Sequence, residues 1–182
     1  MRVSLLVWLP VLWLAGCATA PVPMVGEAEP ATRWTLTGRL GIQTDSQSLS
    51  GNLDWRHRPQ FDVIVLATPL GQGVARIERR PGEVVLDIPN QPQRRAADAE
   101  TLMQDALGYS LPLTGLVWWI QARPDPRRPA DVKREATGRV ERIVQDGWTV
   151  DFLQYADKRP RKLALIRDGL ELRLVLDSWQ AE

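Results

Sequence analysis

The sequence of 182 residues is poor in the side chains that most enzymes and metal sites use. It has one cysteine, Cys17, and one histidine, His57, so it can form no internal disulfide and has no histidine pair for a metal. No glycine-rich phosphate loop is present, and His57 falls in a predicted turn before Pro59. A catalytic pair of carboxylates stays an open alternative, because the sequence alone does not show which carboxylates lie close together. We therefore expect no catalytic site, no metal site and no cofactor.

No charge of one sign dominates the sequence. Lys and Arg number 23 against 22 Asp and Glu, and both signs are spread along the chain. Proteins that bind nucleic acid usually carry a basic patch or stripe, so the composition gives no support for a nucleic-acid partner. One arginine-rich stretch, Arg123–Arg134, contains three prolines and is predicted to be a solvated loop. The alternative is that it contacts an acidic partner or membrane phosphates.

Long apolar runs are also absent, and the longest lies near the N-terminus. Val3–Leu14 is apolar apart from Ser4 and Pro10, which is too short to span a membrane but suits a signal-peptide core. It ends at Leu14-Ala15-Gly16-Cys17, which resembles a bacterial lipobox, where the cysteine thiol receives a diacylglyceryl group and cleavage precedes the cysteine. Residues 1–16 are therefore predicted to be a signal peptide. The alternative is an ordinary secretory leader with a free or buried cysteine.

The predicted lipid anchor at Cys17 has consequences for location. Two or three acyl chains hold a protein stably at a membrane, whereas one chain binds only marginally. In bacterial lipoproteins as a class, Asp after the cysteine favours the inner membrane. Ala18 occupies that position here, so the resemblance implies the outer membrane, with the protein facing the periplasm. Residues 17–32 contain three prolines and few large apolar groups, and they are predicted to be a flexible tether.

Residues 33–182 contain six of the eight tryptophans and are dominated by a sequence period of two. This alternation predicts strands with one apolar and one solvated face, whereas the nearly all-apolar Phe61–Ala67 suggests a strand covered on both sides. Two short helices are predicted, one between the N-cap Asp98 and Gly108 and one over Leu113–Gln121. Strands are predicted near Trp34–Gln43, Leu49–Arg56, Phe61–Ala67, Gly73–Arg79, Glu83–Ile88, Gly138–Val144, Trp148–Tyr155, Lys162–Ile166 and Leu170–Trp179. We predict one α+β domain with about eight to eleven antiparallel strands in a curved sheet.

The apolar face of such a sheet must be covered, and two helices of about ten residues offer limited cover. This mismatch is compatible with an apolar cavity of the kind that binds lipids. The residues leave one alternative open, a core that the tryptophans and leucines fill completely.

Several motifs, in this order, resemble the LolB family of outer-membrane lipoprotein receptors. They are Trp34-Thr-Leu-Thr-Gly38-Arg39-Leu40, Ser50-Gly51-Asn-Leu53-Asp-Trp55, Thr68-Pro69-Leu70-Gly71, Gly108-Tyr-Ser-Leu-Pro112-Leu113, Leu116-Val-Trp118-Trp119-Ile120, Gln145-Asp-Gly147-Trp148 and the strand from Leu172 to Trp179. Together they span nearly all of residues 33–182. The sequence departs from the family at Ala122-Arg123-Pro124, where Gly-x-Pro is more usual, and in the arginine-rich Arg123–Arg134.

The resemblance implies an unclosed antiparallel β-barrel with a helical lid over a hydrophobic cavity. It implies a receptor that accepts the acyl chains of other lipoproteins from a soluble, LolA-like periplasmic carrier and releases them into outer-membrane lipid. We expect a monomer. The cavity lining is predicted to consist of strand residues whose side chains point inward, together with one residue of the second helix. They are Leu36, Leu40, Leu53, Trp55, Val63, Val65, Ile88, Trp119, Trp148, Phe152, Leu172 and Leu174.

The turn Pro69-Leu70-Gly71 is the predicted membrane-insertion loop. A turn pushes a side chain outward, and the position of Leu70 matches an exposed loop leucine of the family. The alternative is that Leu70 folds back onto the core.

Three rival functions remain open at this stage. The protein could be a structural or assembly lipoprotein with a filled core, a tethered hydrolase of envelope glycans or lipids, or a soluble carrier of the same architecture. The lipobox at Cys17 argues against the soluble carrier.

Overall fold

The computed structural model describes residues 29–182, so the predicted signal peptide, Cys17 and most of the predicted tether lie outside the described residues. This part of the chain forms eleven strands and two helices. They are β1 (Trp34–Gln43), β2 (Ser48–Arg58), β3 (Phe61–Ala67), β4 (Gly73–Arg80), β5 (Glu83–Asp87), β6 (Arg94–Ala96), α1 (Ala99–Leu107), α2 (Leu113–Trp119), β7 (Asp131–Arg134), β8 (Val140–Gln145), β9 (Trp148–Ala156), β10 (Arg159–Arg167) and β11 (Leu170–Ala181).

All eleven strands belong to one antiparallel sheet, in the order β6-β5-β4-β3-β2-β1-β11-β10-β9-β8-β7. Neighbours in the sheet are neighbours along the chain except for β1 and β11, which pair the two ends of the domain. The edge strands β6 and β7 do not pair with each other, so the sheet is unclosed. Both helices lie in the connection between these two edges. The prediction of an α+β domain with an unclosed antiparallel sheet is confirmed.

Alternation along the central strands places their apolar side chains on one face. Trp34 and Leu36 of β1 are buried, and so are Leu172 and Leu174 of β11, while the residues between them are exposed or half-buried. These side chains join those of both helices in one continuous core. Each large apolar side chain buried in this way contributes about 1.5–3 kcal/mol to folding.

Local signals define both ends of α1. The Asp98 carboxylate accepts a hydrogen bond from the backbone N–H of Thr101 at 2.8 Å, as an N-cap does. Gly108 follows the helix with φ 81°, a left-handed conformation that glycine adopts without strain. Asp98 and Gly108 were both predicted from the sequence, and the structure confirms them.

α2 ends at Trp119, two residues before the predicted Gln121. The N–H groups of Gln121 and Ala122 donate to carbonyls three residues back, at 3.0 Å and 2.8 Å, so the last turn tightens. Ala122 then adopts φ 56°, which cannot continue a right-handed helix. Between residues 29 and 182, neither helix has the length and apolar character needed to cross a membrane.

Both edge strands were missing from the prediction. β6 and β7 are short, and most of their side chains are exposed and charged, so they show no apolar alternation. Charged side chains are common on sheet edges, where they discourage pairing with other chains. The prediction of a solvated loop throughout Arg123–Arg134 is therefore wrong for its last four residues, which form β7.

His57 does not lie in a turn, so that prediction is wrong. β2 continues to Arg58, and the turn to β3 is confined to Pro59 and Gln60. His57 pairs with Trp34 of β1 and Asp62 of β3 and is 5% exposed. Proline lacks a backbone N–H for the ladder, and here it follows the strand immediately.

Candidate functional site

α2 lies against the buried face of the sheet and leaves a small apolar cavity beneath it. The cavity has a volume of about 30 Å³. Its walls come from strands β1 to β4, β11 and the helical segment, and they consist of Leu36, Leu40, Leu53, Trp55, Ile64, Leu66, Ile77, Leu111, Leu113, Leu116, Ile120, Leu172 and Leu174. The one polar group among these side chains, the indole N–H of Trp55, donates to Asp62 Oδ1 at 2.9 Å. The cavity therefore offers only hydrocarbon contacts.

Half of the predicted cavity residues lie in this lining. They are Leu36, Leu40, Leu53, Trp55, Leu172 and Leu174. The lining residues from the helical segment were not predicted, because the sequence does not show which side of an almost wholly apolar helix meets the sheet. Ile64 and Leu66 of β3 were missed for a different reason: the sequence did not show which face of that strand is buried.

Val63 and Val65 lie on the opposite face of β3, so the prediction that they line the cavity is wrong. Val63 pairs with Arg56 and Val65 pairs with Asp54, both of them exposed, whereas Ile64 between them is buried. A run of consecutive apolar residues gives no phase, and a shift of one residue moves every side chain to the other face. The outer face of β3 is half-buried rather than covered.

The other predicted cavity residues are in the core but away from this cavity. Trp119, Trp148 and Phe152 are buried in the same core, and Ile88 packs against it partly buried. The guanidinium of Arg167 lies 5.0 Å from the ring centre of Trp148. In this structure these side chains support the sheet rather than form the cavity wall.

Trp119 connects the end of α2 to β8 through a buried amide. Its indole N–H donates to Gln145 Oε1 at 2.9 Å, and the same oxygen accepts the backbone N–H of Asp125 at 2.8 Å. The side-chain amide of Gln145 donates to the carbonyls of Asp125 at 3.0 Å and Arg128 at 3.1 Å. All hydrogen-bonding groups of this buried amide are used, so it fixes the segment that follows α2.

The size of the cavity limits what it can hold in this conformation. About 30 Å³ is the share of one water molecule in liquid water, and ligand pockets typically have volumes of roughly 300–1,000 Å³. An acyl chain would therefore require α2 to move away from the sheet. α2 has seven residues, and its N-cap residue, Pro112, makes no side-chain cap hydrogen bond. So short a helix depends on tertiary packing rather than on its own stability.

β2, β3 and β4 bury an ionic network next to the cavity wall. His57 Nδ1–H donates to Asp62 Oδ1 at 2.6 Å, and Arg79 Nε–H donates to Asp62 Oδ2 at 2.5 Å. Burial alone would raise the pKa of Asp62, but the hydrogen bond from His57, the charges of Arg79 and His57 and the Trp55 hydrogen bond together hold this pKa below its ordinary value. Asp62 is therefore an ionised, fully partnered carboxylate that orients Trp55.

The ring of Trp34 packs on this network. It stacks on His57 with ring centres 4.8 Å apart and meets Trp55 edge-on at 4.9 Å. Sequence reasoning missed the network, although Asp62 stands two residues before Ile64 and so shares its phase. No local signal identified it, because the run Phe61–Ala67 does not show which of its two faces is buried.

The loop between β3 and β4 presents an isolated apolar side chain to solvent. Gly71 N–H donates to the carbonyl of Thr68 at 2.8 Å, which closes a turn, and Gly71 has φ 87°. Thr68 N–H in turn donates to the Gln72 carbonyl at 2.8 Å. Leu70, at the tip, is 92% exposed, so the alternative that it folds back onto the core is wrong. Pro69 precedes it and fixes the first corner of the turn.

Comparison with known proteins relates this architecture to one family. The family profile described as "Outer membrane lipoprotein LolB" matches residues 32–179. The outer-membrane lipoprotein LolB of Thiobacillus denitrificans is 60% identical over 171 residues, covering 92% of each chain. The outer-membrane lipoprotein LolB of Pseudomonas syringae pv. syringae is 35% identical over 185 residues, covering 92% of this chain and 90% of the other.

A solved structure of a LolA superfamily protein from Nitrosomonas europaea shares the fold at 8% identity, with a TM-score of 0.51 over 84% of this chain and 87% of the other. A DUF1329 family protein from Desulfovibrio piger shares it at 7% identity, with a TM-score of 0.56 over 85% of this chain and 87% of the other. At such identities the likeness concerns the fold alone. The sequence matches carry the assignment, and the chain belongs to the LolB family of outer-membrane lipoproteins.

Proposed function

We propose that this protein is a lipid-anchored receptor on the periplasmic face of the outer membrane. It accepts the acyl chains of other lipoproteins from a LolA-like carrier and passes them into outer-membrane lipid. The observation that carries the proposal is the apolar lining of the cavity between α2 and the strands β1 to β4 and β11, in a chain of the LolB family. The transfer breaks no covalent bond, which agrees with the expectation of a non-enzymatic protein.

In this mechanism α2 and its flanking segments act as the lid. When α2 moves from the sheet, the leucines beneath it become the wall of a larger cavity that encloses an acyl chain. Exposing a chain of about 16 carbons to water would cost on the order of 10 kcal/mol. The lid must therefore open against the mouth of the carrier, so that the chain passes between two apolar surfaces.

Two further elements act at the membrane. Cys17 is the proposed lipid anchor, and it keeps a receptor that works as a monomer near the bilayer. Leu70, held at the loop tip by Pro69 and Gly71, is the proposed contact with the bilayer surface. One leucine contributes at most about 1.5–3 kcal/mol when buried, so it lowers the barrier to release without holding the protein down.

A structural lipoprotein with a filled core is the second candidate. The specific observation in its favour is the cavity volume of about 30 Å³, which leaves no room for an acyl chain with α2 in place. The two candidates differ in whether lipid ever lies between α2 and the sheet.

Neighbouring residues of β3 allow a matched test, because they lie on opposite faces of the same strand. A photo-crosslinking amino acid at Leu66, which is half-buried in the cavity wall, should capture a palmitate-labelled lipoprotein during transfer from the carrier. The same amino acid at Val65 on the outer face should not. Capture at neither position, together with no transfer from the carrier, would support the filled-core candidate. Equal capture at both positions, or none at residue 66 while transfer proceeds, would contradict a route for the acyl chain between α2 and the sheet.

A further inference from the structure

A second and much larger space lies at the end of the sheet opposite the Leu70 loop. This cleft has a volume of about 770 Å³. It is formed where β9 and β11 end and β10 begins, whereas the Leu70 loop joins the end of β3 to the start of β4. Its apolar floor includes Ile120, Val140, Tyr155, Pro160, Leu176 and Trp179. The volume is within the range of about 300–1,000 Å³ that is usual for small-molecule sites.

Cationic side chains surround this apolar floor. The guanidinium of Arg139 lies 5.3 Å from the ring centre of Tyr155, and that of Arg159 lies 5.5 Å from the ring centre of Trp179. Lys158 is the third cation in the lining. Within residues 29–182, none of these three side chains forms an ion pair with a carboxylate.

The charge around the cleft is unbalanced even when every lining residue is counted. Arg123 and Arg134 also line it, and both have partners of their own. The carboxylates in the lining are those of Glu29 and Asp157, so five cationic side chains face two anionic ones. A cleft with this composition attracts an anion that also carries a large apolar group.

We propose that this cleft binds an anionic amphiphile, with a phosphate or carboxylate head on Arg139, Lys158 and Arg159 and an acyl chain on the apolar floor. The acyl groups of a lipoprotein's N-terminal cysteine are joined through ester and amide bonds and carry no charge. The three cations therefore select a ligand different from the transferred cargo, and the cleft is a site distinct from the cavity under α2.

The cleft lies where the chain enters the folded domain from the predicted lipid anchor, so bilayer phospholipid is an available source of such a ligand. Residues 29–31 line the cleft, and Ala31 lies 14 positions after the predicted anchor, Cys17. At about 3.3–3.6 Å per residue, that length of chain spans at most roughly 50 Å. The cleft is thus within reach of the membrane surface. Ile120 lines both the cleft and the cavity, so a bound chain would contact the end of α2.

The test compares an acid with its uncharged ester. The mature chain from residue 17 onward, carrying Cys17→Ala, is titrated with cis-parinaric acid and with its methyl ester, and energy transfer from tryptophan reports binding. We expect the combined Arg139→Gln and Arg159→Gln substitutions to weaken binding of the acid by about tenfold or more. Binding of the ester should not change.

The matched control is the pair Arg56→Gln and Lys162→Gln. Both side chains are exposed on the outer face and form no ion pair within residues 29–182, so this pair removes the same charge elsewhere. Lys158→Gln changes a single side chain at an exposed turn and should also weaken binding of the acid. This variant replaces the double variant in the test if the double variant folds poorly.

Competition identifies the source of the ligand. Displacement of the acid by lysophosphatidylglycerol assigns the site to phospholipid, and displacement only by fatty acids assigns it to free carboxylates. The proposal is overturned if wild-type protein binds acid and ester equally, if the control pair weakens the acid as much as the cleft pair does, or if no saturable binding occurs. Crosslinking at Leu66 is independent of these substitutions, so failure of the receptor function and failure of this site are distinguishable.

Discussion

Replacing Leu70 with Asp separates the folding of the protein from its proposed contact with the bilayer. Leu70 is 92% exposed, so it contributes almost nothing to the core. We expect the free energy of unfolding to change by no more than about 0.5 kcal/mol, as for other surface substitutions. The proposed membrane contact loses the burial of one leucine, about 1.5–3 kcal/mol. Since about 1.4 kcal/mol corresponds to a factor of ten, release of lipoprotein into vesicles should slow roughly ten- to hundredfold.

The assay follows one labelled lipoprotein from carrier to receptor and from receptor to vesicles. The Leu70→Asp variant should load from the carrier at the wild-type rate and then retain the lipoprotein. Leu153→Asp is the control, because Leu153 is also an exposed leucine, at 60%, but lies within β9. The reasoning is refuted if Leu70→Asp releases lipoprotein as fast as wild type, if Leu153→Asp slows release equally, or if Leu70→Asp lowers stability by more than about 1 kcal/mol.

Three further predictions concern the core, pH and the anchor. Gln145→Met leaves Trp119 Nε1–H and the backbone groups near Asp125 without partners, so urea denaturation should show a loss of at least about 1–3 kcal/mol. The pKa of Asp62 is lowered on folding, so its contribution is complete above its unfolded pKa of about 3.9 and is lost as pH falls below it; Asp62→Asn should weaken this acid dependence. Cys17→Ser should abolish incorporation of labelled palmitate in cells, and incorporation that persists would contradict the predicted anchor.

Elements whose signals are local could be predicted from the sequence. α1 begins after Asp98 because a carboxylate can accept the free N–H of Thr101, and this requires no distant residue. The pair Asp168-Gly169 adopts φ 45° and 78° and closes the hairpin between β10 and β11, as an Asp-Gly pair favours. The strands with strict alternation, such as β1 and β11, were also predicted with the correct inward face.

Elements that depend on distant partners could not be predicted in this way. β6 and β7 are strands because each pairs with one neighbour, while their own side chains are mostly exposed and charged. The phase of β3 was lost because consecutive apolar residues fit either face, so Val63 and Val65 were assigned to the cavity in place of Ile64 and Leu66. The burial of His57 could not be predicted because it depends on a hydrogen bond to Asp62 of β3, which in turn accepts a hydrogen bond from Arg79 of β4.

The sequence by itself determined the alternating strands, the helix caps, the turn at Leu70 and the motifs that resemble a lipoprotein family, because each depends on residue order over a short distance. Only the tertiary structure decided the volume beneath α2, the buried carboxylate of Asp62 and the cationic cleft at Arg139 and Arg159. Those features arise where side chains far apart in the chain pack together. Their geometry is set by the summed packing of the sheet, which no local pattern encodes.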